Sequence, residues 1–353
     1  IKKGETVLLP AYNCGIEIEP FHYLEVNIDF YRVNYDLTFD IEDITRRMRK
    51  GVKAVLITHY LGFPQAVEEI RELCNKWNAY LIEDCAHALL SSSNGKDLGT
   101  TGDISVFSLL KTLPVPNGGV LVINNPKTRV QREECRPSVF STLYYLADLK
   151  RQKTSSDNLA TALMEYLVSS LFWHGVNVAK LAAAAVAKVT GRKIVSFVRP
   201  DSYVFKSEIL NWGMSPLSIN IINTTNFDLL KERRRDNFKH LLKRLFQSEI
   251  RQEFGFPIET LPNGVCPLFF PLLVKEDGKR EYLYLALKEQ GIASHPWWDR
   301  FHPAVPWEEF PEAVTLKERL LGIPIHQDLT FEHLDRIILE LEKICRTLRT
   351  SNV

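Results

Sequence analysis

The chain sets reactive residue types directly after short apolar runs. Pro10-Ala11-Tyr12-Asn13-Cys14 follows Val7-Leu8-Leu9, and His59-Tyr60-Leu61-Gly62-Phe63-Pro64 follows Ala54 to Ile57. Glu83-Asp84-Cys85-Ala86-His87-Ala88 follows Tyr80-Leu81-Ile82. Gly102-Asp103 precedes a run that carries Ser108 and leads to Lys111-Thr112, and Gly118-Gly119 opens the next run. If each run is a parallel strand, an acid, an imidazole one turn later and a Ser/Lys pair one strand further on converge on one rim. A lysine amine there can form an imine with a carbonyl carbon and later move a proton. A carboxylate can hold a pyridine nitrogen protonated and keep the ring an electron sink. Hydroxyls and backbone amides can bind a phosphate. These are the needs of pyridoxal 5'-phosphate chemistry. Each residue alone has a plain reading, as a helix cap, a loop brace or a solvated lysine; the ordered set is more specific.

The elements that must position these residues are legible as an alternation. Strand-like runs are Val7–Leu9, Tyr31–Val33, Ala54–Ile57, Tyr80–Ile82, Ile104–Leu109 and Val120–Ile123. Helical segments are expected over 15–25, over Ile41–Met48 with Asp40 as N-cap, and over Ala66–Trp77. Strands alternating with helices at this spacing predict βαβ units and a mostly parallel sheet. Residues 126–205 break the rhythm as an apolar, helical insertion. Within it, 158–189 reads as a packed helix pair, with peripheral membrane contact as the alternative. Glu165, His174 and Lys180 keep it short of the roughly 18–20 uncharged residues a span needs. A long charged helix is expected over 221–248. The run Lys231-Glu-Arg-Arg-Arg-Asp reads as its solvated face rather than a nucleic-acid site. Residues 265–348 then read β-α-β-α. We therefore expect a large domain over 1–245 and a small α+β domain over 246–353.

Composition adds exclusions. Apolar residues make up 45% and charged residues 25% of 353, and the net charge is +1. No global field draws the chain to nucleic acid or to an anionic membrane. The six cysteines are scattered without a CxxC pair, which reads as reduced, cytoplasmic thiols rather than a disulfide framework. The histidines lack metal-ligand spacing, so no metal is expected.

The ordered motifs resemble the DegT/DnrJ/StrS-type family of pyridoxal-phosphate-dependent sugar aminotransferases. The resemblance rests on Pro10-Ala11-Tyr12, His59-x-x-Gly62-x-Pro64, Ile82 through Ala88, Gly102-Asp103 to Phe107-Ser108 and Gly118-Gly119. It resumes at Asn211-Trp212-Gly213-Met214-Ser215 and at Leu320 to His326. It implies a three-layer α/β/α large domain of the aspartate-aminotransferase type. It implies Lys111 as the imine-forming lysine and Asp84 as partner of the pyridine nitrogen. It implies His87 beside the phenolic oxygen and Ser108 on the phosphate. Asn211 would reach the phosphate of a neighbouring subunit, so a homodimer with shared sites is implied. Tyr12 and Cys14 fall at the cofactor face, and His59, His295, Trp297 and His326 at the substrate side. His59 has a second reading, as a brace for a neighbouring loop; the segment from His295 to His302 has one as an aromatic plug between domains.

Four departures stand out. The family's phosphate-binding turn lies upstream of Pro10, and the chain opens on Ile1, so we expect it to be N-terminally truncated. The ring-stacking aromatic maps to Cys14. Lys111 falls two residues early, the ungapped lysine slot being Leu113. The motif's arginine is Gly213. The function implied is amino transfer from an amino acid, glutamate foremost, to a nucleotide-linked keto-sugar for polysaccharide or glycan assembly. The alternatives are a sugar dehydratase on the same fold and a degenerate homologue acting as a binding or scaffold protein.

Overall fold

The computed structural model describes residues 1–48, 51–130 and 210–350, with the single positions 137, 142 and 207. Most of the insertion at 126–205, including the 158–189 helix pair, lies outside the described residues. Among the described residues no helix is long and apolar enough to cross a membrane.

The first half is an α/β unit. In chain order it runs β1 (Thr6–Pro10), α1 (Glu19–Tyr23), β2 (Asn27–Tyr31), α2 (Ile41–Met48), β3 (Ala54–Thr58), α3 (Val67–Trp77) and β4 (Tyr80–Asp84). A small hairpin, β5 (Ser92–Ser93) and β6 (Lys96–Asp97), precedes β7 (Ile104–Ser108) and β8 (Gly119–Ile123). The sheet order is β2-β1-β3-β4-β7-β8. All neighbours are parallel except β7 and β8. The sheet is thus mostly parallel, as the alternation predicts. β3 is buried along its whole length, as a strand covered on both faces must be. Asp40 caps α2 through its Oδ1, which accepts from Asp43 N at 2.9 Å.

The second half adds α4 (Pro216–Thr224), α5 (Phe227–Gln247), β9 (Phe254–Gly255), β10 (Phe269–Val274), α6 (Lys279–Glu289), β11 (His295–Pro296), α7 (Pro311–Arg319), β12 (Leu320–Pro324) and α8 (Phe331–Thr350). Its sheet has the order β11-β12-β10-β9 and is antiparallel. One apolar cluster runs through both halves, from Leu8 and Ile57 to Phe270, Leu321 and Leu341.

Several expectations change in detail. The segment 15–25 forms only the five-residue α1, and the second strand lies at 27–31 rather than 31–33. The 221–248 helix is two helices, because Asn226 leaves the helical conformation and caps α5 by accepting from Leu229 N. The basic run is not all solvated. Arg234 is buried, donating to the carbonyls of Thr112, Pro267 and Leu268 and to Gln327 Oε1. A helix face is set by position modulo 3.6, so one arginine of three points inward. α7 and β12 were not anticipated as elements. β12 carries Gly322 and Pro324, poor strand formers, yet is fully buried between β10 and β11, where packing overrides propensity.

Candidate active site

The strand ends meet as the spacing requires. β4 delivers Glu83 and Asp84 to opposite faces, since alternate residues of a strand point opposite ways. Glu83 faces inward. It accepts from the backbone N–H groups of Gly99 and Thr101 at 3.0 and 2.9 Å, and from that of Gly102. His59 Nε2 lies 2.9 Å from its other side. Burial alone would raise this carboxyl, but the bonds from His59 and the glycine amides outweigh it and hold it below the ordinary range. His59 is fully buried, and its Nδ1 accepts from Gln65 N. His59 thus braces its own loop at Gln65 and, through Glu83, the loop of residues 99–102.

Asp84 faces the other way. Its Oδ1 accepts from Ala86 N at 2.9 Å. Burial pushes its carboxyl up to about 6, and Glu17 adds to the rise, while Lys111, the Ala86 amide and His59 oppose it. One turn later, buried His87 sits with its Nε2 2.7 Å from Lys111 Nζ. Its Nδ1 accepts from Leu61 N at 3.4 Å. Burial, Lys111 and His295 hold its pKa well below the usual imidazole value, so the ring is neutral at pH 7. Lys111 ends a 3-10 turn (Leu109–Lys111) that follows Ser108. The ungapped alternative, Leu113, is buried in an apolar cluster with Leu109 and Val115. The side chain that reaches His87 is that of Lys111.

The loop after β1 closes a second side. Tyr12 is buried, its hydroxyl donating to Trp297 O at 2.8 Å. Cys14 donates to Glu17 Oε2 at 2.7 Å. Burial and Glu17 push this thiol well above its ordinary value, so it is a thiol and not a thiolate at neutral pH. A third side is aromatic. The rings of Trp297 and Trp298 lie 5.0 and 5.3 Å from that of His87, and His295 lies 5.3 Å from Trp297. His326 lies in the loop after β12, its Nδ1 3.6 Å from Asp328, with its carbonyl accepting from Asn237. Asn211 is exposed in the turn before α4. That turn is tied to the lysine loop by Asn117, whose Oδ1 accepts from Ser215 N and the Ser218 hydroxyl.

Sequence reasoning missed Glu17, Asn117 and Lys317. Glu17 carried one signal, its three-residue spacing from Cys14. Lys317 carried none, because a lysine near a helix end reads as solvated.

Residues 1–142 match the profile of the DegT/DnrJ/EryC1/StrS aminotransferase family. A GDP-perosamine synthase from Vibrio cholerae is 33% identical over 128 residues, 35% of each chain. The chain therefore spans about a third of the length of that relative. Among solved structures, the aminotransferase TlmJ from Streptoalloteichus hindustanus has a TM-score of 0.65 at 19% identity, covering 99% of this chain and 81% of that one. The PLP form of the putative sugar aminotransferase Spr1654 from Streptococcus pneumoniae has the same TM-score at 14% identity, covering 99% and 82%. At these identities the structural likeness is one of fold. The motif order along β1 to β8 and the strand-end geometry are similar to those of the DegT/DnrJ/EryC1/StrS aminotransferase family, whose profile residues 1–142 match.

Proposed function

We propose that this chain is a pyridoxal-phosphate-dependent aminotransferase that passes an amino group from an amino acid, glutamate foremost, to a nucleotide-linked keto-sugar. The observation that carries the reading is the contact of Lys111 Nζ with His87 Nε2 at 2.7 Å, on the same rim as Asp84.

The residues fit the family's cofactor. Asp84 accepts one backbone hydrogen bond, has no ion pair among the described residues, and is pushed up to about 6. A carboxylate in that state is suited to a pyridinium N–H, which would supply the missing counter-charge. Lys111 is exposed beside it, and Ser108 offers a hydroxyl at the end of β7. When bound, pyridoxal phosphate supplies the electron sink for the bond changes at the amino carbon. The protein's part is to hold and move protons. Asp84 keeps a ring nitrogen protonated. With its Nδ1 accepting from Leu61 N, neutral His87 carries its proton on Nε2, where it would donate to the lone pair of the Lys111 amine and hold that amine in place. The indoles of Trp297 and Trp298 exclude water from that side. Ser108, with Asn211 of a second copy, would bind the phosphate. Tyr12 and Cys14 close the face opposite, and His295, Trp297 and His326 line the approach of the sugar. A cytoplasmic setting suits the cysteines, which are free among the described residues.

The dehydratase alternative needs a histidine in the lysine position, and neither Lys111 nor the ungapped alternative Leu113 is one. A scaffold role needs no cofactor. The deciding experiment adds pyridoxal phosphate, reduces with borohydride, and maps the labelled peptide. Label on Lys111, with 2-oxoglutarate released from glutamate when a keto-sugar nucleotide is supplied, is the expected result. Label elsewhere or nowhere would sink the assignment.

A further inference from the structure

Lys317 is a fully buried lysine on α7 without a salt-bridge partner among the described residues. Its three N–H donors meet three backbone carbonyls: Asn13 O at 2.7 Å, Arg300 O at 2.6 Å and Trp298 O at 3.3 Å. Asn13 belongs to the loop after β1; the other two belong to the turn after β11. The rings of Trp307, Phe301 and Tyr12 surround the ammonium at 5.1, 5.7 and 5.8 Å, a cation–π cage.

The turn it holds is strained. Trp298 has φ +37°, a region that a bulky side chain rarely adopts. Such strain persists only where surrounding contacts over-determine it. Here they do. Tyr12 bonds Trp297 O, Lys317 bonds Trp298 O and Arg300 O, and the Trp298 ring packs on Tyr12, Tyr60 and His87. A methionine would fill the same volume without burying a charge. What the ammonium adds is a tripod joining two loops.

We propose that Lys317 is a positioning residue: its ammonium clamps the Trp297–Trp298 turn to the loop after β1 and so fixes the indole wall against His87, the partner of Lys111. The clamp stands on geometry alone; its consequence for catalysis rests on the aminotransferase reading.

The clamp needs all three donors. A neutral amine has two N–H groups for three carbonyls and must release one. Burial brings the lysine down to about 8, opposed by Glu17 and Cys14 from the loop after β1 and by Asp299 from the turn itself. The titratable Tyr12 ring lies 5.8 Å from the ammonium, and Arg280 donates to the Lys317 backbone carbonyl. The clamp therefore opens in the mildly alkaline range.

The test is the emission and acrylamide quenching of the tryptophans in the full chain, with and without pyridoxal phosphate, from about pH 6.5 to about pH 9.5. The expected result is a reversible rise in quenching centred at about pH 8, absent in Lys317→Met and reduced in Trp298→Phe. If Lys317→Met does not fold, Lys317→Arg, charged throughout the range, must give a flat profile. Tryptophan quenching at about pH 6.5 that is the same in Lys317→Met as in wild type, or a substituted chain that keeps the transition, overturns the clamp. If pyridoxal phosphate fails to label Lys111 while the transition still follows Lys317, the clamp stands and the enzyme reading falls. Labelling of Lys111 with a transition indifferent to Lys317 does the reverse.

Discussion

Asp84 is held in the folded chain at a thermodynamic cost. Its carboxyl is raised from 3.8 to about 6. The folded state therefore binds the proton more tightly than the unfolded state does. The penalty is absent below the unfolded value, grows between pH 4 and 6, and is fully present above. Two pKa units correspond to roughly 3 kcal/mol at neutral pH. Asp84→Asn removes it. We predict that this variant, without cofactor, is more stable than wild type at pH 7, by less than that figure, and no more stable at pH 4. With cofactor, its turnover should fall about a hundred-fold or more, because an amide cannot keep the ring nitrogen protonated. Thermal melts at the two pH values and steady-state kinetics check both halves. A variant less stable than wild type at pH 7 would mean that Asp84 is a structural residue. Asp84, His87, Ser108 and Lys111 were legible because each directly follows an apolar run. Glu17 and Lys317 were not, because their roles come from loops that meet only after folding.

The elements hold these residues through a few backbone positions. The turn from Leu61 to Gly62 brings Leu61 N to His87 Nδ1. Leu61 has φ +54° and Gly62 φ +92°. A Cβ on Gly62 would collide with Cys266 O and stand 3.2 Å from His87 O. Both obstacles are backbone and cannot swing away. Gly62→Ala should cost about 2–4 kcal/mol and disturb His87 more than distant sites. Denaturant melts and the nitrogen shifts of the His87 ring would show it; a variant as stable as wild type would refute the close approach. The Glu83 network is the second such element. Glu83→Gln keeps the shape but loses the charge that His59 and three amides share, and should cost on the order of 2–3 kcal/mol. Because the Glu83 carboxyl is held low in the fold, its contribution is present above the unfolded value and disappears as pH falls through the folded one. The difference between wild type and variant should therefore shrink in acid. At this scale β1, β3, α3, β4 and β7 were readable because each is a clean apolar run or a helical stripe with breakers at its ends. β12 and α7 were not, since Gly322, Pro324 and Pro311 are the residues that normally mark loops. The break at Asn226 was lost inside a run of continuous helical character.

At the scale of the whole chain, apolar side chains remain open on the side of the lysine turn. Val106 on β7, Leu110 beside Lys111, Val120, Leu121 and Ile123 on β8, and Leu217 and Ile219 on α4 are all exposed. Among the described residues β8 is also an edge strand of the six-stranded sheet, and an apolar edge is a surface that normally finds a partner. Asn211, which the family resemblance assigns to a neighbour's phosphate, is exposed just ahead of α4. We predict that the chain dimerises in solution through this side, with each copy completing the other's phosphate site. Sedimentation equilibrium at about 10–50 μM, a range suited to an interface of standard size, should give twice the chain mass. Leu121→Asp and Ile219→Asp should shift the equilibrium to monomer, because a carboxylate cannot be buried there unpaired. Affinity for pyridoxal phosphate should fall in step with dimer content, and Asn211→Ala should weaken cofactor binding while leaving the dimer intact. A monomer that binds the cofactor as tightly as the dimer would overturn the shared site. A dimer indifferent to both aspartates would move the interface elsewhere.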